Sequence, residues 1–130
     1  MSEEIYQMGD QKTIMLVDDS RVSRLMLKAI IENIFPEWHI LEAEDAAGAL
    51  KLSLYENENI DLITLDMNMP GVDGLTVAPR LKENCVNATI ALLTANFQEQ
   101  VQSKAAKQGL IFIPKPITED KIIDFVNTYQ

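Results

Sequence analysis

The chain has 130 residues, 47% of them hydrophobic, enough for one domain with a continuous core and too few for a second folded one. Its formal net charge of -9 repels phosphate backbones and anionic lipid, and no local basic patch offsets it. Proteins and small molecules are therefore the expected partners, with no direct nucleic acid and no membrane. The only cysteine, Cys85, excludes an internal disulfide or a thiolate metal cluster; Ser2-Glu3-Glu4 is acidic where a signal peptide is basic; and no apolar run reaches membrane-spanning length. These features point to a cytoplasmic protein.

Residues 1–12 are mixed and polar around Ile5, Tyr6 and Met8, and read as an N-terminal extension to a domain over residues 13–130. Thr13 to Val17 is the first apolar run. Asp18-Asp19-Ser20 then opens a helix on which Val22, Leu25, Met26, Ala29, Ile30 and Ile34 recur at helical spacing, until Pro36 ends it. Trp38 to Leu41 predicts a second strand, and Asp45 caps a helix bearing Ala46, Ala49, Leu50, Ser53 and Leu54 on one side. In the third strand, Leu62, Ile63 and Leu65 are branched residues in a run too short for a helix, closed off by Pro70, Gly71 and Gly74. That strand carries an acid, Asp66, out of the interior.

Leu75 to Lys82 has helical spacing, but Pro79 removes a hydrogen bond and clashes with the preceding turn, which predicts a short or kinked third helix. Thr89 to Leu93 is a buried strand ending in Thr94. A polar helix from about Phe97 to Gln108 follows, with Val101 and Ala105 inward and Gly109 as its stop signal. Leu110 to Ile113 is the fifth strand, Lys115-Pro116 terminates it, and Thr118 caps a last helix with Ile122, Val126 and Tyr129 on one stripe. Strand and helix thus alternate five times, which predicts an α/β fold: a five-stranded parallel sheet covered by helices on both faces. Without a glycine-rich dinucleotide turn, the expected order is 2-1-3-4-5, with strands 1 and 3 astride the switch point where such sheets bind ligands.

In that order Asp18, Asp19 and Asp66 end the two switch-point strands, Thr94 ends the fourth, and Lys115 follows the fifth. Each alone has an ordinary reading as a helix cap, a local backbone partner or a solvated cation. Five such residues at strand ends are harder to assign to chance. Two carboxylates about 4 Å apart repel by on the order of 4 kcal/mol at an effective dielectric near 20. A hard divalent cation with oxygen ligands offsets that, and Mg²⁺ takes one or two carboxylates while leaving positions for water and phosphate oxygens. Cation, ammonium and hydroxyl together suit phosphoryl transfer, with a carboxylate as the nucleophile.

From Lys12 onward the chain resembles the receiver domains of two-component response regulators. The resemblance rests on Asp18-Asp19 after strand 1, Asp66 followed by Met-Asn-Met-Pro-Gly-Val-Asp-Gly, Thr94-Ala95, and Lys115-Pro116. It implies a flavodoxin-like (βα)5 three-layer sandwich. It further implies that Asp66 is the phosphoacceptor, that Asp18, Asp19, Asp66 and the Asn68 backbone carbonyl hold Mg²⁺, which Mn²⁺ can replace, and that Thr94 and Lys115 contact the phosphoryl oxygens. Pro116 would follow a cis bond, Thr94 and Phe112 would form the switch, and Asn68 and Asn96 would tune phosphoryl lifetime. The implied partners are a histidine kinase or histidine phosphotransfer protein and a downstream target docking on the face of helix 4, strand 5 and helix 5. The chain departs from the family pattern at Pro79 and at Phe112, which lacks a tyrosine hydroxyl. No output domain follows, as in single-domain chemotaxis or phosphorelay receivers, and the only chemistry implied is the chain's own phosphorylation and dephosphorylation.

Three other readings compete. A haloacid dehalogenase-type phosphohydrolase wants a second acid two residues after its nucleophile, where this chain has Asn68. Flavin binding needs backbone donors where Asp18-Asp19-Ser20-Arg21 offers acids. The third is an interaction module that is never phosphorylated.

Overall fold

The computed structural model describes residues 11–129; of the extension expected over residues 1–12, all but the last two positions lie outside the described residues. The strands are β1 (Thr13–Val17), β2 (His39–Ala43), β3 (Ile60–Asp66), β4 (Thr89–Thr94) and β5 (Ile111–Pro114). They pair in parallel in the order β2-β1-β3-β4-β5. The helices are α1 (Arg21–Ile34), α2 (Ala46–Tyr55), α3 (Gly74–Asn84), α4 (Glu99–Lys107) and α5 (Glu119–Val126).

Period-two alternation along the strands builds two cores. Ile14, Leu16, Leu62, Ala91, Leu93 and Ile113 face α1 and α5, against Leu27, Ile31, Ile122, Phe125 and Val126. Met15, Val17, Ile63, Leu65, Ile90 and Leu92 face the other way, against α2, α3 and α4. Because β1, β3 and β4 are covered on both sides, they read as unbroken apolar runs. β2 is an edge strand with exposed positions, and its bounds fall two residues later than the sequence predicts at the C-terminal end.

Three expectations need correction. On α1 the buried residues are Leu27 and Ile31, whereas Val22, Leu25 and Met26 of the expected stripe are 67%, 53% and 52% exposed. This helix is apolar on more than one side, so spacing alone fits several stripes. Leu27 and Ile31 pack on the sheet, and Arg24, on the same side, reaches inward to the end of β1. On α2 the expected Leu54 is 64% exposed, while Ala49 and Ser53 are buried.

The third correction is α3, which runs unbroken for 11 residues through Pro79. The Leu75 carbonyl, left without its usual helical donor by the proline, accepts from Gln108 Nε2 at 3.1 Å. Lys82 Nζ in turn donates to the Gln108 carbonyl at 2.6 Å. A residue at the end of α4 thus repairs the defect in α3.

Candidate functional site

Register sets the site. Val17 pairs with Leu65, Asp66 with Leu93, and Thr94 with Pro114, so Asp18, Asp66, Thr94 and Lys115 arrive at one rim from four adjacent strands. The carboxyl ends of β1 and β3 adjoin at the switch point of the strand order, where open sheets of this kind leave a crevice. Asp18 and Asp66 are 2% and 3% exposed, and Asp19 is exposed beside them. One carboxylate oxygen from each of the three lies within 4.8 Å of the others.

Each side chain is held by its own strand end. Asp18 N–H donates to the Ala43 carbonyl at 3.1 Å, its Oδ1 accepts from Ser20 N–H at 2.8 Å, and its carbonyl accepts from Arg24 Nη1 at 2.6 Å. Ser20 also caps α1 through Ser23 N–H. Asp66 Oδ1 accepts from Lys115 Nζ at 2.8 Å, the single cation bonded to a carboxylate of the three among the described residues. Lys115 N–H donates to the Thr94 carbonyl, and the Lys115–Pro116 bond is cis. The buried Thr94 hydroxyl accepts from Asn96 N–H at 2.9 Å.

After β3 the chain turns back sharply. Gly71 has φ +86°, which favours glycine, and Asp73 caps α3 by accepting from Thr76 N–H. Gly74 N–H donates to the Met67 carbonyl, and a Cβ on Gly74 would stand 2.8 Å from the Asp66 carbonyl oxygen. Only glycine brings α3 this close to the acid. Asn68 is exposed in this loop. Phe112 is half-buried on the α4 side of β5, level with Leu92 and on the same face as Thr94.

Burial pushes the Asp18 carboxyl above the ordinary carboxylate range. The Asp66 and Asp19 charges push the same way, while the Ser20 N–H and the Lys115 ammonium oppose them. Ser23, Met26, Leu27, Pro116 and Ile117, with Asp18 and Lys115, line a mainly apolar groove of about 180 Å³.

The response regulator receiver domain model matches residues 14–127. The chain belongs to the response regulator receiver family. It is 33% identical to the chemotaxis protein CheY of Bacillus subtilis over 116 residues, spanning 88% of this chain and 93% of that one. It is also 38% identical to the cyclic di-GMP phosphodiesterase response regulator RpfG of Xanthomonas campestris, but over 28% of that protein's length. The CheX–CheY–BeF3–Mg²⁺ complex from Borrelia burgdorferi superposes with a TM-score of 0.83 at 29% identity, covering 95% of this chain and 92% of that one. As a receiver, the chain is a phosphorylation-switched signalling module of the CheY type, and the phosphohydrolase and flavin readings lose their support.

Receivers bind Mg²⁺ at an acidic pocket, and the donors gathered here are oxygens only, the set that suits a hard divalent cation. Sequence reasoning missed Arg24, whose side-chain partner Glu42 lies 18 positions along the chain. It also missed Asp73 as a cap, although an Asp directly before helical spacing is a recognisable signal. No helix among the described residues is long and apolar enough to cross a membrane.

Proposed function

We propose that Asp66 accepts a phosphoryl group from a phosphohistidine on a histidine kinase or histidine phosphotransfer protein. An Asp66 carboxylate oxygen attacks phosphorus, the P–N bond breaks, and the imidazole departs with the electron pair. The observation that carries this reading is a buried carboxylate ion-paired to Lys115 at 2.8 Å and flanked by two further acids within 4.8 Å. Asp18, Asp19, Asp66 and the Asn68 backbone carbonyl would hold Mg²⁺, with Mn²⁺ as a substitute. The ion's contribution is to neutralise charge on the transferring oxygens.

Lys115 follows the charge from the carboxylate to a phosphoryl oxygen, and Thr94 turns its hydroxyl toward another. The loop after β4 then shifts, and Phe112 occupies the space left under α4, favouring an inward-ring state in proportion to its differential contacts. Phe112 has no hydroxyl to hold its ring in water, so that state is partly populated before phosphorylation. The face of α4, β5 and α5 takes the downstream protein. Asn68 and Asn96 flank the path of the water that ends the signal, and the chain catalyses only its own phosphorylation and dephosphorylation. We place it in the cytoplasm, as one receiver over residues 13–130 with an N-terminal extension.

The test is incubation with acetyl phosphate and Mg²⁺, read by intact mass. One phosphoryl group is expected on the parent chain and none on Asp66→Asn, which is close to isosteric. Labelling of Asp66→Asn at the parental rate would refute the assignment.

A further inference from the structure

We propose that Arg24 is a positioning residue for the metal-binding acids, acting through the peptide group that joins Asp18 to Asp19; this rests on the Mg²⁺ reading above. The Asp18 carbonyl belongs to that peptide, and peptide planarity means that fixing its oxygen orients the backbone of both acids at once. Arg24 Nη1 supplies the fixing bond at 2.6 Å. Its Nε is meanwhile engaged by Glu42 Oε1 at 3.1 Å, and the side chain is only 13% exposed. A guanidinium with two fork positions taken by two different elements has little freedom left.

The anchor behind it is the end of β2. Glu42 holds the guanidinium, and the next residue, Ala43, accepts the Asp18 N–H at 3.1 Å. Both sides of Asp18's backbone are thereby referred to one short stretch of the edge strand. Lys28 Nζ also approaches Glu42, at 3.6 Å from Oε2, but forms no hydrogen bond or ion pair with the acidic loop among the described residues. The two cations share a carboxylate and differ in whether they touch Asp18.

That difference yields opposite expectations for cation binding. Removing a positive charge near three carboxylates strengthens their attraction for Mg²⁺ if charge is all that matters. Removing the group that sets ligand geometry weakens it, typically by about 10–100-fold for partners one step behind the ligands. For Arg24→Ala the positioning role predicts weaker binding, and for Lys28→Ala, with the same charge change, it predicts equal or slightly tighter binding.

The experiment is calorimetric titration of Mg²⁺ into the metal-free full chain, for the parent, Arg24→Ala, Arg24→Lys and Lys28→Ala, at a temperature where each is folded. The expected result is a loss of about tenfold or more for Arg24→Ala. Arg24→Lys, which keeps the charge but not the fork, is expected to recover part of that loss. Arg24→Ala binding as tightly as the parent, or more tightly, would overturn the proposal. If Arg24→Ala does not fold, Arg24→Lys decides, and parental affinity there would overturn it equally. A parent chain that binds no Mg²⁺ would instead bring down the metal reading beneath it.

Discussion

Replacing Asp18 with Asn tests whether the acids at the rim are held together at a cost. Asparagine keeps the Oδ1 that accepts from Ser20 N–H, so the local loop retains its bond while one charge is lost. With carboxylate oxygens within 4.8 Å, the repulsion between Asp18 and Asp66 is about 3.5 kcal/mol at an effective dielectric near 20. The Lys115 ammonium, bonded to Asp66 at 2.8 Å, also attracts Asp18 and returns part of that. A net gain of about 1–2 kcal/mol is expected for the metal-free chain, a rise in melting temperature of roughly 3–10 °C at this length.

The pH dependence follows from the direction of the Asp18 shift. Its carboxyl titrates above the ordinary 3.8 in the folded chain, so between those values the folded state binds more protons than the unfolded one. Stability is lost as pH rises through that window, and the penalty is complete above the folded value. The advantage of Asp18→Asn should therefore be full above the folded value and shrink as pH falls toward the ordinary carboxylate range. Thermal melts in chelator at several pH values read both effects, and added Mg²⁺ should stabilise the parent and narrow the gap. Equal melting at pH 7, or a gap that does not close in acid, would refute the strain argument.

The Gln108 bridge predicts a coupled pair: Gln108→Ala should cost about 1–2 kcal/mol in the parent but much less in a Pro79→Ala background, which restores the helical amide donor. Urea unfolding of the four chains measures the coupling, and a value near zero would remove the bridge. Thr64 is fully buried and its hydroxyl has no hydrogen-bond partner among the described residues, so Thr64→Val should stabilise the chain by about 1 kcal/mol in the same assay. For the switch, Thr94→Ala should still take up the phosphoryl group yet lose most of the chemical-shift response of α4 and β5 to beryllofluoride; a parental response would break the proposed link.

The fold was legible because its strands are covered on both faces. Burial on two sides demands near-continuous apolar runs, and Ile14 to Val17, Leu62 to Leu65 and Ile90 to Leu93 display them. These three and the two edge strands, alternating with helical spacing, leave few topologies, and the strand order then collects Asp18, Asp66, Thr94 and Lys115 at one rim. Helices carry less: α1 has apolar residues on several sides, so its period identified the helix and misplaced its inward stripe.

What sequence alone determined, then, are the elements whose cause is local: the buried strands, the caps at Asp45 and Thr118, and the strand-end acids. Tertiary structure decided what depends on partners far along the chain. Arg24 meets Glu42 across 18 positions, and Gln108 meets Leu75 across 33, giving the carbonyl freed by Pro79 a partner. Gly74 is required because the Asp66 carbonyl and the Leu92 side chain each lie 2.8 Å from where a Cβ would stand. A side chain's spacing records the face it can present, but which face is buried depends on surfaces that come together only after the sheet has formed.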